Sequence, residues 1–329
     1  MTTPTPLPDS RPDSLPDGTV LTVRRPEDAL ALVPVVLGFT PADSIVMLTF
    51  GAARPFHARC DLPPTADGLP DAVSALLDPA LAHGVRRVLF VVYSEDAALA
   101  RDAAWALYGA FERADVAMID VLHADGRRWA SGLGERPGAP ACGVPYDVSG
   151  HPFLAQAVLA GRVVHASRDD LRDTLAADPV GTGRVVAALA GRTGDPPGPH
   201  PPDAVWAAEL VERHVADGSS PDDDDVARLL RGLLETPVRD AACASLRRPT
   251  AARHVAFWTD VVRRTPVPLL AAPAALLALA AWQAGHGALA WCALDRCAEA
   301  DEDYRLAALV AQALEHAVAP EAWDEAGDR

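Results

Sequence analysis

The chain contains no lysine and no asparagine. Every basic charge except histidine therefore falls on arginine. Without a lysine amine there is no Schiff-base nucleophile, which removes pyridoxal-phosphate and lysine-aldolase chemistry. The phosphate loop GxxxxGK[ST] is impossible for the same reason, as is the usual kinase lysine. Without asparagine there is no N-glycosylation acceptor. Cysteine is present five times, at 60, 142, 243, 292 and 297, an odd count with no CxxC pair. That spacing argues against a disulfide framework or a zinc site. All five are read as reduced, mostly buried thiols of a cytoplasmic protein. The motifs GxSxG and HExxH are also missing. Gly181-Thr182-Gly183 lacks a third correctly spaced glycine, so it is not a dinucleotide fingerprint. Ser149-Gly150-His151 is too local for a useful serine–histidine pair and reads as a turn.

What is present has a globular balance: 50% hydrophobic and 22% charged residues over 329 positions. That length exceeds what one core usually serves, so two domains are expected. The net charge of −16 disfavours binding to a phosphate backbone. Basic residues cluster only in pairs such as Arg24-Arg25 and Arg127-Arg128, read as solvated surface. The predictions are accordingly no nucleic acid, no membrane, no metal and no cofactor. Residues 1–18 lack an apolar core and a leading basic cluster. They read as a disordered tail rather than a signal peptide. Pro266 to Trp282 is apolar but short and interrupted by proline, and is expected to be a buried helix starting near Pro273.

Periodicity predicts an α/β fold with a partly parallel sheet and flanking helices over 19–190. A Pro/Gly linker at 191–202 and an all-helical domain at 203–329 should follow. Val20–Val23 reads as a strand and Pro26–Leu37 as a helix. Ser44–Phe50 and Pro55–Asp61 read as a hairpin around Gly51-Ala52-Ala53-Arg54, adding an antiparallel edge. Val73, Leu76, Leu77, Ala80 and Leu81 form one helical face. Arg87–Tyr93 is a continuous apolar run, as for a strand buried on both faces. A helix through Leu99–Phe111 and a strand at Ala117–Leu122 follow. Arg127–Ser131 is a short extra strand, and 132–150 a loop. His151–Leu175 is helical with a break. In the helical domain the run Asp222–Asp225 sits at a helix start, where acidic side chains complement the helix dipole.

The segment Asp28–Phe50 (DALALVPVVLGFTPADSIVMLTF) followed by Arg59-Cys60-Asp61-Leu62-Pro63 resembles the opening of an actinobacterial family known as domain of unknown function 4192. The resemblance runs through most of the chain. Gly126, Arg128 and Trp129, with Arg127 inserted, are similar to a further family segment that precedes a cysteine-containing Gly/Pro loop. Here that loop carries only Cys142, where family members often have paired cysteines, which argues against a metal or redox role. The family implies no activity. Gly285–Ala307 is similar to the second half of a tetratricopeptide repeat, where glycine and alanine let two helices pack closely.

Ligands of open α/β sheets bind beyond the carboxyl ends of strands. Six residues are candidates there: Arg59 and Asp61 at the end of the hairpin strand, Glu95 and His123 after the next two strands, then Arg128 and Trp129. Gathered in one cleft they would suit anion binding or acid–base work. Two functions stay open. One is a non-catalytic binding or scaffold protein whose helical half binds another protein. The other is an enzyme or sensor acting on a small anionic metabolite at the strand ends.

Overall fold

A computed structural model of the chain describes residues 13–14, 20–50, 56–134, 140, 142–191 and 203–320. The expected turn at 51–54 and the linker from 192 to 202 lie outside them. The chain divides into two compact units, Met1–Arg168 and Asp169–Arg329.

In the first unit, β1 (Asp13–Ser14) pairs antiparallel with β2 (Val20–Leu21). Part of the tail expected to be disordered is thus a strand. Helix α1 (Pro26–Leu37) opens with proline at N1 and closes on Gly38, whose φ of +80° suits a residue without Cβ. Strands β3 (Ser44–Phe50) and β4 (His57–Asp61) follow, then α2 (Leu69–Ala82), β5 (Arg87–Tyr93), α3 (Ala97–Arg113) and β6 (Ala117–Ala124). Two short strands, β7 (Arg128–Ser131) and β8 (Val144–Pro145), finish the sheet before α4 (Pro152–Leu159). β8 lies in the stretch expected to be loop.

The sheet has six strands in the order β4-β3-β5-β6-β7-β8. β3 is antiparallel to both neighbours, and β5–β6 is the parallel pair. The hairpin thus supplies an antiparallel edge as expected, with β4 outermost and β3 interior. The reason is visible in composition. All seven residues of β3 are buried; such a strand needs partners on both sides and cover on both faces.

Side chains alternate across the sheet. Ile45, Met47, Phe90, Val92 and Val121 pack with α2 and α3. Val46, Leu48, Leu89, Val91, Leu122 and Trp129 pack with α1 and α4. The result is a three-layer α/β/α sandwich. Phe90 and Phe111 meet edge-on with ring centroids 5.0 Å apart, so truncating either leaves a cavity costing about 3–5 kcal/mol.

The second unit is helical: α5 (Arg168–Asp173), α6 (Pro179–Gly191), α7 (Asp203–Asp217), α8 (Asp223–Gly232), α9 (Thr236–Ala242), α10 (Ala251–Arg264), α11 (Ala271–Gln283), α12 (Gly287–Ala298) and α13 (Arg305–Glu315). Asp222 caps α8 by accepting the Asp225 N–H at 2.7 Å, and Asp223–Asp225 fill the first turn. The aspartate run is thus a helix start. α11 is buried on all sides from Ala272 to Gln283 and packs against α10, α12 and α13. Among the described residues, no helix is long and apolar enough to cross a membrane.

The boundary differs from the expected one. α6, assigned by periodicity to the α/β domain, packs on α8 and α10. Gly181 lies against Arg264 so closely that a Cβ would stand 2.7 Å from its Cγ. Buried Arg264 bonds Asp223 and the Pro221 carbonyl, each at 3.1 Å, and pairs with Asp260. Arg184 of α6 reaches the same Asp223 at 2.7 Å and, with Arg264, holds that carboxyl below its ordinary range. The α6 sequence has no polar/apolar contrast that reveals its partner, and the Pro/Gly run after it looks like a boundary without being one in packing. Proteolysis between 191 and 202 should therefore yield two fragments that co-elute under native conditions, because α6 stays docked on α8 and α10. Separation without denaturant would contradict this packing.

His254 on α10 is fully buried; its Nε2 lies 3.3 Å from Ser245 Oγ, and Nδ1 has no partner. Burial pushes its pKa down to about 4. The unfolded imidazole titrates near the ordinary 6.5, so the unfolded state binds the proton first. Stability contributed by neutral His254 is complete above pH 6.5 and is lost as pH falls towards 4, with a slope of at most about 1.4 kcal/mol per pH unit. Urea unfolding at pH 7 and pH 5 should show the loss, and His254→Gln should flatten the difference.

Candidate functional site

The sheet register aligns all six candidate residues at one end of the molecule's first unit. Asp61 pairs with Ser44, Ser44 with Tyr93, Tyr93 with Ala124, Ala124 with Trp129, and Trp129 with Val144. The residues share an end of the sheet but not a cleft. Four strand steps separate β4 from β7, about 19 Å at roughly 4.8 Å per step. They also divide between faces. Arg59, Asp61 and Trp129 alternate onto the α1 side; His123 and Arg128 fall on the other.

Five of the six are held by hydrogen bonds within the chain. Arg59 donates through Nε and Nη2 to Ser44 Oγ at 3.0 and 2.8 Å, and through Nη2 to Asp61 Oδ1 at 2.5 Å. Ser44 is fully buried and its hydroxyl donates a hydrogen bond to the Ala42 carbonyl. Arg59 therefore satisfies a buried hydroxyl, with Phe39 5.8 Å from its guanidinium carbon. Arg128 donates from Nε to the Cys142 carbonyl at 2.7 Å and from Nη2 to the Gly143 carbonyl at 2.8 Å. It ties the Gly/Pro loop to β7. Gly143 has φ +74° and lies where a Cβ would meet the Trp129 carbonyl at 3.0 Å, which requires glycine. Trp129 donates its indole N–H to Glu27 Oε1 at 3.0 Å.

His123 lies 2.8 Å from the Ser94 carbonyl through Nε2. A carbonyl only accepts, so that nitrogen carries a hydrogen, and in the neutral ring the lone pair falls on Nδ1. Glu95 is exposed. Partial burial works against ionising Asp125, but the N–H groups of Arg128 and Arg127, at 2.6 and 2.8 Å, outweigh it and hold the carboxyl below its ordinary value. Tyr93 is pushed well above 10 by burial and then by Tyr146, so it stays neutral.

The cysteines depart from expectation. All five are free, but only Cys292 and Cys297 are buried; Cys60 and Cys243 are intermediate and Cys142 is exposed. Cys142 lies in the glycine- and proline-rich loop, which has little apolar surface to cover it. Burial raises the Cys60 thiol to about 11 and Cys297 to about 12. Among the described residues, no group of three or more His, Cys, Asp or Glu could hold a metal ion.

The polar cluster that does assemble was not among the candidates. Asp28, nearly buried in the first turn of α1, accepts the N–H groups of Arg24 and Arg25 through Oδ2 at 2.8 and 2.9 Å. Its Oδ1 lies 3.2 Å from His151 Nε2. His151 caps α4, its Nδ1 accepting the Phe153 N–H at 3.3 Å. Both imidazole nitrogens are thus engaged, and neutral His151 has no lone pair left for a base. The signal available in sequence was Asp28 as the third residue of the helix that Pro26 opens, a capping pattern; nothing local pairs it with a histidine 123 positions away. The Ser149-Gly150-His151 turn is present, with Ser149 N–H on Asp147.

An α/β/α sandwich with antiparallel edges, continued into a helical unit and internally engaged at its strand ends, defines a class of architecture rather than of chemistry. The sequence profile of the family Domain of unknown function (DUF4192) matches residues 26–321. The chain belongs to that family. Neither the curated proteins nor the solved structures contain a match to it.

Two substitutions test these assignments. Arg128→Ala should lower stability by about 1–2 kcal/mol, because the Cys142 and Gly143 carbonyls lose a charged donor. Asp28→Ala should cost more, about 2–4 kcal/mol, because it removes a cap and leaves His151 Nε2 unpaired. Chemical denaturation of both variants measures this; equal, negligible effects would refute the structural roles.

Proposed function

We propose that this chain is a cytoplasmic, non-catalytic binding or scaffold protein, with the α/β unit as frame and the helical half as the element that takes a protein partner. The observation that carries the reading is the engagement of Arg59 and Arg128. Both guanidinium groups at the strand ends hold parts of the chain itself, so neither is a ready anion receptor. Five free thiols fit a reducing compartment. Support for the helical half comes from apolar side chains left in solvent there, with Leu234 66% and Leu309 53% exposed. The pairing of α12 with α13, across the Gly285–Ala307 sequence, fits a repeat-like binding surface.

A second reading, an enzyme or sensor for a small anionic metabolite, keeps one observation in its favour. The lone pair of neutral His123, next to last in β6, and the exposed Glu95, two residues past β5, both lie at the carboxyl ends of the parallel pair β5–β6.

Thermal-shift measurements separate the two. Nucleotides, sugar phosphates and carboxylates should leave the melting temperature unchanged. A partner captured by the full-length chain should be lost from Leu309→Asp and Leu234→Asp variants that melt normally. A ligand at about 100 times its Kd stabilises by about 2.7 kcal/mol; a shift of that size that disappears in His123→Ala would overturn the scaffold reading.

A further inference from the structure

The two edges of the sheet are not alike. β8 is two residues long and ends in proline, the usual protection of an edge against further pairing. β4 has five residues, His-Ala-Arg-Cys-Asp, without proline or glycine, and its pairing with β3 runs in unbroken register.

The backbone directions of β4 follow from one hydrogen bond. Leu62 N–H donates to the Asp43 carbonyl at 2.8 Å, continuing the β3–β4 register by one position. Directly opposed residues alternate between hydrogen-bonded and non-hydrogen-bonded pairs in an antiparallel ladder. Leu62, Cys60 and Ala58 therefore direct their backbone groups towards β3, and Arg59 and Asp61 direct theirs away from it. No backbone hydrogen bond of the described residues engages the N–H or C=O of Arg59 or Asp61. Asp61 has its side chain 77% exposed, and β4 as a whole is half-buried, unlike the wholly buried β3.

We propose that β4 is a docking edge for a second copy of this chain, joining two sheets through an antiparallel β4–β4 pair centred on Cys60. Charge complementarity selects this occupant and this register. A two-fold axis at Cys60 sets Arg59 opposite Asp61 of the second copy, and Asp61 opposite its Arg59. The outward N–H and C=O groups of both residues then face their counterparts, making four inter-chain hydrogen bonds of the antiparallel kind. Arg59 keeps its bonds to Ser44 and to its own Asp61; each exposed Asp61 carboxylate then stands between its own Arg59 and that of the second copy, and opposite charges directly opposed stabilise such pairing. Moving the axis to Arg59 would oppose two guanidinium groups, and moving it to Asp61 would oppose two carboxylates. Both are disfavoured. The strand is thus self-complementary in one register, as an isologous contact requires.

The test uses the full-length protein. Sedimentation equilibrium over a concentration series should show the mass rising from the 34.6-kDa monomer towards twice that value. Hydrogen exchange at the Arg59 and Asp61 amides should slow as concentration rises, with the Ala58 and Cys60 amides protected throughout. Asp61→Lys places like charges opposite each other at both cross-strand pairs; the ion pair with Arg59 that it removes is exposed on the Asp61 side, so the monomer stays folded with only a slightly lower melting temperature. It should remain monomeric at concentrations where the parent is dimeric. A parent that stays at monomer mass throughout overturns the proposal. So does a dimer unaffected by Asp61→Lys, or one whose formation leaves exchange at Arg59 and Asp61 unchanged.

Discussion

The first unit depends on the requirement that β3 be covered everywhere. Seven consecutive residues, Ser44 to Phe50, lie in the interior. Their backbone groups find partners in β4 and β5, and their side chains find cover from helices on both faces. One polar consequence follows at each end. Buried Ser44 needs hydrogen bonds, and Arg59 supplies two of them. Buried Thr49 exchanges bonds with the Phe56 backbone, accepting its N–H at 3.1 Å and donating to its carbonyl at 2.5 Å. A guanidinium that looks functional in sequence is therefore bound to the interior by the strand it flanks.

The same economy recurs around the sheet. Asp28 closes the start of α1 and holds α4 through His151. Glu27 in the same turn holds Trp129, and Arg128 holds the loop that leads to β8. Charged groups here act as fasteners between elements distant in sequence. In the helical unit, Arg264, Asp223, Arg184 and Asp260 perform that task for α6, α8 and α10. A chain without lysine suits it: guanidinium groups form several directed bonds at once, which an ammonium on a flexible stem does less well.

Elements were legible where a local pattern sufficed. The bounds of α1, β3 and β5 follow from proline and glycine punctuation and from unbroken apolar runs. The aspartate run before α8 follows from capping chemistry. Less was legible where the decision lay with a distant partner. β8 is two residues whose strand character comes wholly from β7. α6 carries no mark in its sequence of which unit it joins. The candidate residues share one end of the sheet, but strand order, which no local signal encodes, spreads them along it.

The sequence by itself determined the architecture class and the family, because apolar periodicity, punctuation residues and the Asp28–Pro63 segment are local properties. It also excluded lysine-dependent chemistry outright. The tertiary structure decided strand order, the membership of α6 and the roles of Arg59, Arg128, Asp28 and His151. Those depend on which groups meet across long stretches of chain. A hydrogen bond between residues 123 positions apart exists only once the sheet has brought its ends together.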